Sequence, residues 1–204
     1  MLMYDDSFVA AMTATTDEAT ALGARIYGSE HVLLGLLVAH DHVTQHVVDM
    51  FPGLTAPAVR EAVRAALDDA PHLARLGLTL PAASATAPSD GAARGTRPRA
   101  KHTPELQSAL NQATAKWAQL RRIGALPKER KVSSAVLWLA VLEPSARGRR
   151  LLHAMEIDPD GVRAGVLSAI VPTGDAVPTW PTEAPVGPAT RFTHWVFGHL
   201  NLPR

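Results

Sequence analysis

The chain has 204 residues, 47% of them hydrophobic but only 5% aromatic, with a net charge of +1 and no cysteine. That length suits one or two domains, and a core of Ala, Leu and Val with few rings favours closely packed helices over a sandwich. Near-neutral charge supplies no general drive toward nucleic acid or anionic membrane, and the missing thiols exclude a disulfide scaffold and thiolate metal sites.

No apolar run approaches the ~18 residues of a membrane span. Met1-Leu2-Met3-Tyr4-Asp5-Asp6 lacks the basic start and apolar core of a signal peptide, so a cytoplasmic location is expected.

Residues 4–70 read as four helices. In the first, Phe8, Ala11, Met12, Thr15, Ala19 and Leu22 share one face at 3.6-residue spacing, with Asp5 or Asp6 as cap and Gly23 as stop. The second begins at Ser29. It is apolar nearly all round through Val32-Leu33-Leu34-Gly35-Leu36-Leu37, which predicts a buried central helix. Ser29 is placed to accept from a free helix amide, and Glu30 puts negative charge on the positive helix end. The third runs from His42 to Phe51 with Val43, Val47 and Val48 inward, and Pro52-Gly53 ends it. The fourth follows Thr55 with Pro57 in its first turn, and turns Val59, Val63 and Leu67 inward.

The pattern then repeats. Pro71 to Lys101 is rich in Ala, Pro, Ser, Gly and Arg and predicts a mobile linker; Arg94, Arg97, Arg99 and Lys101 have no aromatics among them and read as solvated charge. Thr103-Pro104-Glu105 opens a second unit, residues 102–171, whose first helix carries Leu106, Ala109, Leu110, Ala113, Trp117 and Leu120. Val136-Leu137-Trp138-Leu139-Ala140-Val141-Leu142 matches Val32 to Val38, and Arg149-Arg150-Leu151-Leu152 mirrors Gln45-His46-Val47-Val48. The segment 172–204 is proline-rich and ends in aromatics, with Phe192, Trp195 and Phe197 as candidate docking residues for the chain's own domain or a partner.

The string Leu22-Gly23-Ala24-Arg25-Ile26-Tyr27-Gly28-Ser29-Glu30-His31-Val32-Leu33-Leu34-Gly35-Leu36-Leu37, with the Thr-Pro opening of the second unit, resembles the Clp N-terminal (Clp R) domain family. The resemblance implies an all-α fold of two pseudo-repeated four-helix units, 1–70 and 102–171, forming a Clp N-domain-like bundle; the flexible linker 71–101 that joins them and the tail 172–204 lie outside the family pattern, which covers about two thirds of the chain. It implies a cytoplasmic protein-binding partner of a ClpC-type unfoldase, its adaptors or its substrates, arginine-phosphorylated proteins among them. It also marks Glu30, with Ser29, His31 and Asp5 around it, as a phosphoarginine-like ligand site: the carboxylate takes the guanidinium and helix amides take the phosphate.

The second unit lacks that motif. Aligning Val136 with Val32 sets Ser133-Ser134-Ala135 opposite Ser29-Glu30-His31 and Val132 opposite Gly28, and the serines read as helix caps. His40, His42 and His46 fall in a polar segment without metal-protease spacing, so no metal is assigned there; His31 reads as a buried partner that locks its loop. No Gly-x-x-x-x-Gly-Lys-Ser/Thr loop occurs, and no nucleophile–base pair stands out. The expected function is therefore non-enzymatic and cofactor-free: an adaptor, regulator or decoy in Clp proteolysis, with no nucleic-acid or membrane partner. The alternative is a peptide or small-molecule sensor using the groove between the repeats.

Overall fold

A computed structural model describes residues 3–67, 101–127 and 131–185. Among them are eight helices: α1 (Asp6–Ala21), α2 (Ser29–Ala39), α3 (His42–Met50), α4 (Ala56–Leu67), α5 (Pro104–Arg122), α6 (Ser134–Val141), α7 (Arg147–Ala154) and α8 (Pro159–Ile170). The all-α reading holds. Beside the helices stand only four two-residue strands, β1 (Met3–Tyr4), β2 (Ile26–Tyr27), β3 (Lys101–His102) and β4 (Lys131–Val132).

Local chemistry sets the helix ends. Asp5 caps α1 by accepting from the Phe8 amide at 2.9 Å, and Thr103 caps α5 by accepting from Leu106 at 3.2 Å, with Pro104 in the first turn. Both long helices stop the same way. Gly23 and Gly124 take positive φ of 74° and 78°, and the amides of Ala24 and Ala125 close back onto Ala19 and Leu120. That left-handed residue is costly for a side chain, which is why glycine stands at both places.

α2 and α6 form the centre. Val32, Leu33, Leu34 and Leu36 have no exposed surface, nor do Leu137, Trp138, Leu139 and Val141, and the one core they build draws on both repeats. Each fully buried side chain of this size contributes about 1.5–3 kcal/mol. Gly35 lets α1 lie directly on α2: a Cβ there would overlap the Thr15 hydroxyl and sit 2.6 Å from the Thr15 amide nitrogen. On α6 the Trp138 ring N–H donates to the Thr44 hydroxyl of α3 at 3.0 Å, so the polar atom of this buried ring is satisfied.

The repeats are interlocked by their strands. β1 pairs in parallel with β4, Tyr4 opposite Val132, and β2 with β3, Tyr27 opposite His102. Each short strand runs directly into a helix start, so the start of α1 lies beside that of α6, and the start of α5 beside that of α2. No helix among the described residues is long and apolar enough to cross a membrane.

The helix starts also correct the repeat register by one residue. Gly28 and Ser133 are the caps of α2 and α6, and Asp41 and Ala146 those of α3 and α7. Glu30 therefore corresponds to Ala135, not Ser134, and Gly35 to Ala140. An apolar run on a helix buried all round tolerates such a slip, because no face distinguishes one alignment from the next.

Candidate functional site

Glu30 lies in the first turn of α2, only 8% exposed, with its carboxylate folded back over Gly28. A Cβ on Gly28 would meet Glu30 Oε2 at 2.5 Å and Oε1 at 2.7 Å, so the glycine makes room for this acid. Arg147 Nη1 stands 3.7 Å from Oε1, and His31 Nδ1 3.3 Å from the same oxygen. Oε2 is buried without a hydrogen-bond partner. Burial pushes this carboxyl's pKa up, but a hydrogen bond from His31, one from its own amide, and the charges of His31 and Arg147 outweigh burial and leave it below the ordinary value.

His31 is fully enclosed, and its Nδ1 accepts from the Gly28 amide at 3.2 Å, locking the turn before α2. That contact and the approach to Glu30 compete for one ring nitrogen. A neutral ring accepts from Gly28, and an imidazolium donates to Glu30 instead. The Gly28 amide makes its hydrogen bond at Nδ1, while Nε2 is buried without a partner among the described residues.

Ser29 does not cap its own helix; Gly28 is the cap residue. The serine hydroxyl donates to Glu105 Oε1 at 2.8 Å and accepts from the Gly148 amide at 2.9 Å. The same Glu105 oxygen accepts the Arg147 amide at 2.8 Å. α7 thus begins at Ala146, which has no capping side chain, and is capped from two other helices. In the mirror position Asp41 caps α3 itself by accepting from Thr44, and also receives the Ser134 hydroxyl. Of the two serines expected as caps of α6, Ser133 holds the cap position without a side-chain cap bond, and the Ser134 amide donates to Ser7 Oγ at 3.1 Å. For a phosphate at this end of the molecule, the amides of Arg147 and Gly148 are already taken by Glu105 and Ser29.

The four residues grouped by the sequence divide into two places. Ser29, Glu30 and His31 gather at the start of α2. Asp5 belongs to the start of α1, bonded to Ser7 Oγ at 2.7 Å, while its amide donates to Val132 before α6. Parallel pairing of β1 with β4 carries it to the other repeat. His42 and His46 lie on α3, and His46 Nε2 lies 3.0 Å from Ser168 Oγ of α8. Among the described residues no group of three His, Cys, Asp or Glu stands together as metal ligands. Phe192, Trp195 and Phe197, and most of the linker, lie outside the described residues.

Two clefts border these elements. A small one of about 370 Å³ opens beside Glu30, floored by Val63, Ala66, Leu151 and Ala154 and rimmed by Arg147 and Arg150. A larger one of about 890 Å³ runs between α1 and the β2–β3 pair, lined by Tyr4, Phe8, Val9, Met12, Tyr27 and His102 among others. Tyr4 and Phe8 stack along it with ring centroids 4.3 Å apart.

Sequence reading missed Glu105, Arg147 and Arg150 as neighbours of Glu30. The visible signal was Arg147-Gly148-Arg149-Arg150, a basic run at a helix start without a capping side chain. It also missed a buried pair, Lys116 Nζ to Glu143 Oε2 at 2.7 Å, roofed by Trp180, whose ring N–H donates to Glu143 Oε1 at 3.0 Å.

No family model and no curated protein sequence matches the chain. Among solved structures, the fold is similar to the N-terminal domain of the caseinolytic protease associated chaperone ClpD from Arabidopsis thaliana. That match has a TM-score of 0.54 at 16% identity and covers 81% of this chain and 92% of that one. At such identity the likeness is one of architecture: the chain has a Clp N-domain-like fold.

Proposed function

We propose that the chain is a non-catalytic protein-binding module of a Clp proteolysis system, serving a ClpC-type unfoldase as adaptor, regulator or decoy. The observation that carries this reading is the conjunction of a Clp N-domain-like fold with a charged, partly open cleft at the Glu30 end of its central helix. Glu30 supplies the carboxylate that a guanidinium would pair with. A phosphate would have to displace Glu105 from the Arg147 amide, so arginine-bearing segments suit the Glu30 end better than their phosphorylated forms.

The test is a reconstituted ClpC-type protease with the chain in molar excess. Degradation of adaptor-dependent substrates should slow while basal ATP hydrolysis stays constant, because a receiving domain without a motor sequesters what the ring would capture. Unchanged degradation of every such substrate, together with no co-purification of the unfoldase, would overturn the reading.

The larger cleft favours a second reading, a peptide or small-molecule sensor acting without a Clp partner. Its lining mixes an aromatic pair with Lys101 and His102, and its volume lies in the range of ligand pockets, about 300–1,000 Å³. Saturable ligand binding that persists when no unfoldase interaction can be found would select it.

A further inference from the structure

The two repeats close differently on their outer faces. α8 packs closely along α3, where Gly165 brings the helix against Met50 and Val47; a Cβ at Gly165 would lie 3.2 Å from Met50 Sδ. The corresponding pair, α4 and α7, makes few contacts among the described residues, and α4 carries Ala62 at the place of Gly165. The cleft beside Glu30 is the space this pair leaves open.

The charge on α7 is sorted between its faces. Arg149 is spent on Asp160, with bonds of 3.0 and 2.9 Å from its two terminal nitrogens, and Arg163 binds the same carboxylate. Arg147 and Arg150, three apart and so on one face, border the cleft. Arg147 is 53% exposed and only grazes Glu30 at 3.7 Å, and the Arg150 side chain is exposed with no ion pair or hydrogen bond to a described residue. The mirror positions on α3 are His42 and Gln45, so the cationic rim belongs to one repeat alone.

From this we infer that the α4–α7 cleft is a docking groove for a protein segment that presents an apolar side chain next to carboxylates. The apolar side chain would lie on Val63, Ala66, Leu151 and Ala154, and the carboxylates would pair with Arg150 and the outer side of Arg147, leaving Glu30, the cleft's own carboxylate, to an arginine of the same segment. Complementary charge, not area, selects this occupant. The floor has no aromatic ring on which a base would stack, and two cations make a poor track for a phosphate backbone. The inference rests on reading the chain as a protein-binding module, but not on which proteolytic machine it serves.

The experiment uses the full chain and a fluorescein-labelled peptide, Gly-Ser-Asp-Leu-Leu-Glu-Gly-Ser, in fluorescence anisotropy at low salt. Binding should weaken about tenfold in Arg150→Glu and remain unchanged in Arg25→Glu, an exposed control with the same change in net charge. Replacing the peptide's acids by Asn and Gln, or its leucines by Ser, should each abolish binding. Thermal melts of both variants check that the fold is retained.

Several outcomes would overturn the inference. They are no detectable binding by the parent chain, equal loss in both arginine variants, or tighter binding of a single-stranded oligonucleotide than of the peptide. So would stronger peptide binding by Asp68→Asn/Asp69→Asn, which would make the chain's own acids the occupant. Loss of a self-associated species in Arg150→Glu would make the occupant a second copy. None of these bears on the unfoldase assay, so the two readings fail separately.

Discussion

Lys116 Nζ lies 2.7 Å from Glu143 Oε2 with the two side chains 1% and 0% exposed, joining the middle of α5 to the end of α6. Two ions out of water cost several kcal/mol each, recovered only when every donor and acceptor is used. Trp180 supplies the remaining bond to Glu143, and the Lys116 ammonium stands 6.0 Å from the centre of its ring. The segment after α8 is therefore part of the folded body at least as far as this tryptophan.

Lys116→Met should destabilise the chain by about 3–5 kcal/mol, because it strands a buried carboxylate. The double variant Lys116→Met/Glu143→Leu should recover most of that loss. Trp180→Ala should cost about 3 kcal/mol through lost packing and one orphaned carboxylate oxygen. Urea unfolding followed by circular dichroism measures all three, and a double variant no more stable than Lys116→Met would show that the pair is not the cause.

Gly35 separates two opposing effects by size. Gly35→Ala gains about 1 kcal/mol of helix propensity but forces a methyl against the backbone of α1 at Thr15 and Ala11. Overpacking against atoms that cannot rotate away costs about 3 kcal/mol, so a net loss of about 2 kcal/mol is expected. A variant as stable as the parent would mean that α1 moves off α2 at little cost.

The shared cap of α7 predicts a graded series at Glu105. Glu105→Ala leaves the amide of Arg147 and the hydroxyl of Ser29 without their common acceptor, and should cost about 1–2 kcal/mol. Glu105→Gln keeps an acceptor oxygen and should lose less than half as much. Equal losses in the two variants, read as midpoint shifts in thermal melts, would assign the effect to charge and not to capping geometry.

Acid should weaken the fold in a defined window. Glu18 is held below its ordinary value of 4.5, first by its hydrogen bonds from Arg60, and Asp160 below 3.8, first by those from Arg149 and then by the charge of Arg163. Both carboxyls bind protons less readily when folded, so their contribution is complete above those ordinary values and is lost as pH falls through the lower folded ones. Stability measured between pH 6 and the acid limit should fall below about pH 5. The fall should be shallower in Glu18→Gln; an identical slope would remove the Arg60 pair from the account.

Where the helices lie was legible in the chain itself. Caps at Asp5 and Thr103, stops at Gly23 and Gly124, and the apolar runs at Val32 and Leu137 are local rules, each satisfied within a few residues of its own position. The locking role of His31 was within reach for the same reason: its bond to the Gly28 amide closes inside one turn. What only the tertiary structure decided is which helix start meets which. Two-residue strands are too short to leave a pattern, yet their crossed pairing sends Asp5 to the second repeat and brings Glu105 to Ser29. An apolar run buried on every side hides its own register, so Glu30 found its true counterpart, Ala135, only once both helices had visible caps. The open α4–α7 cleft depends on how closely two helices approach, a distance that no single segment encodes.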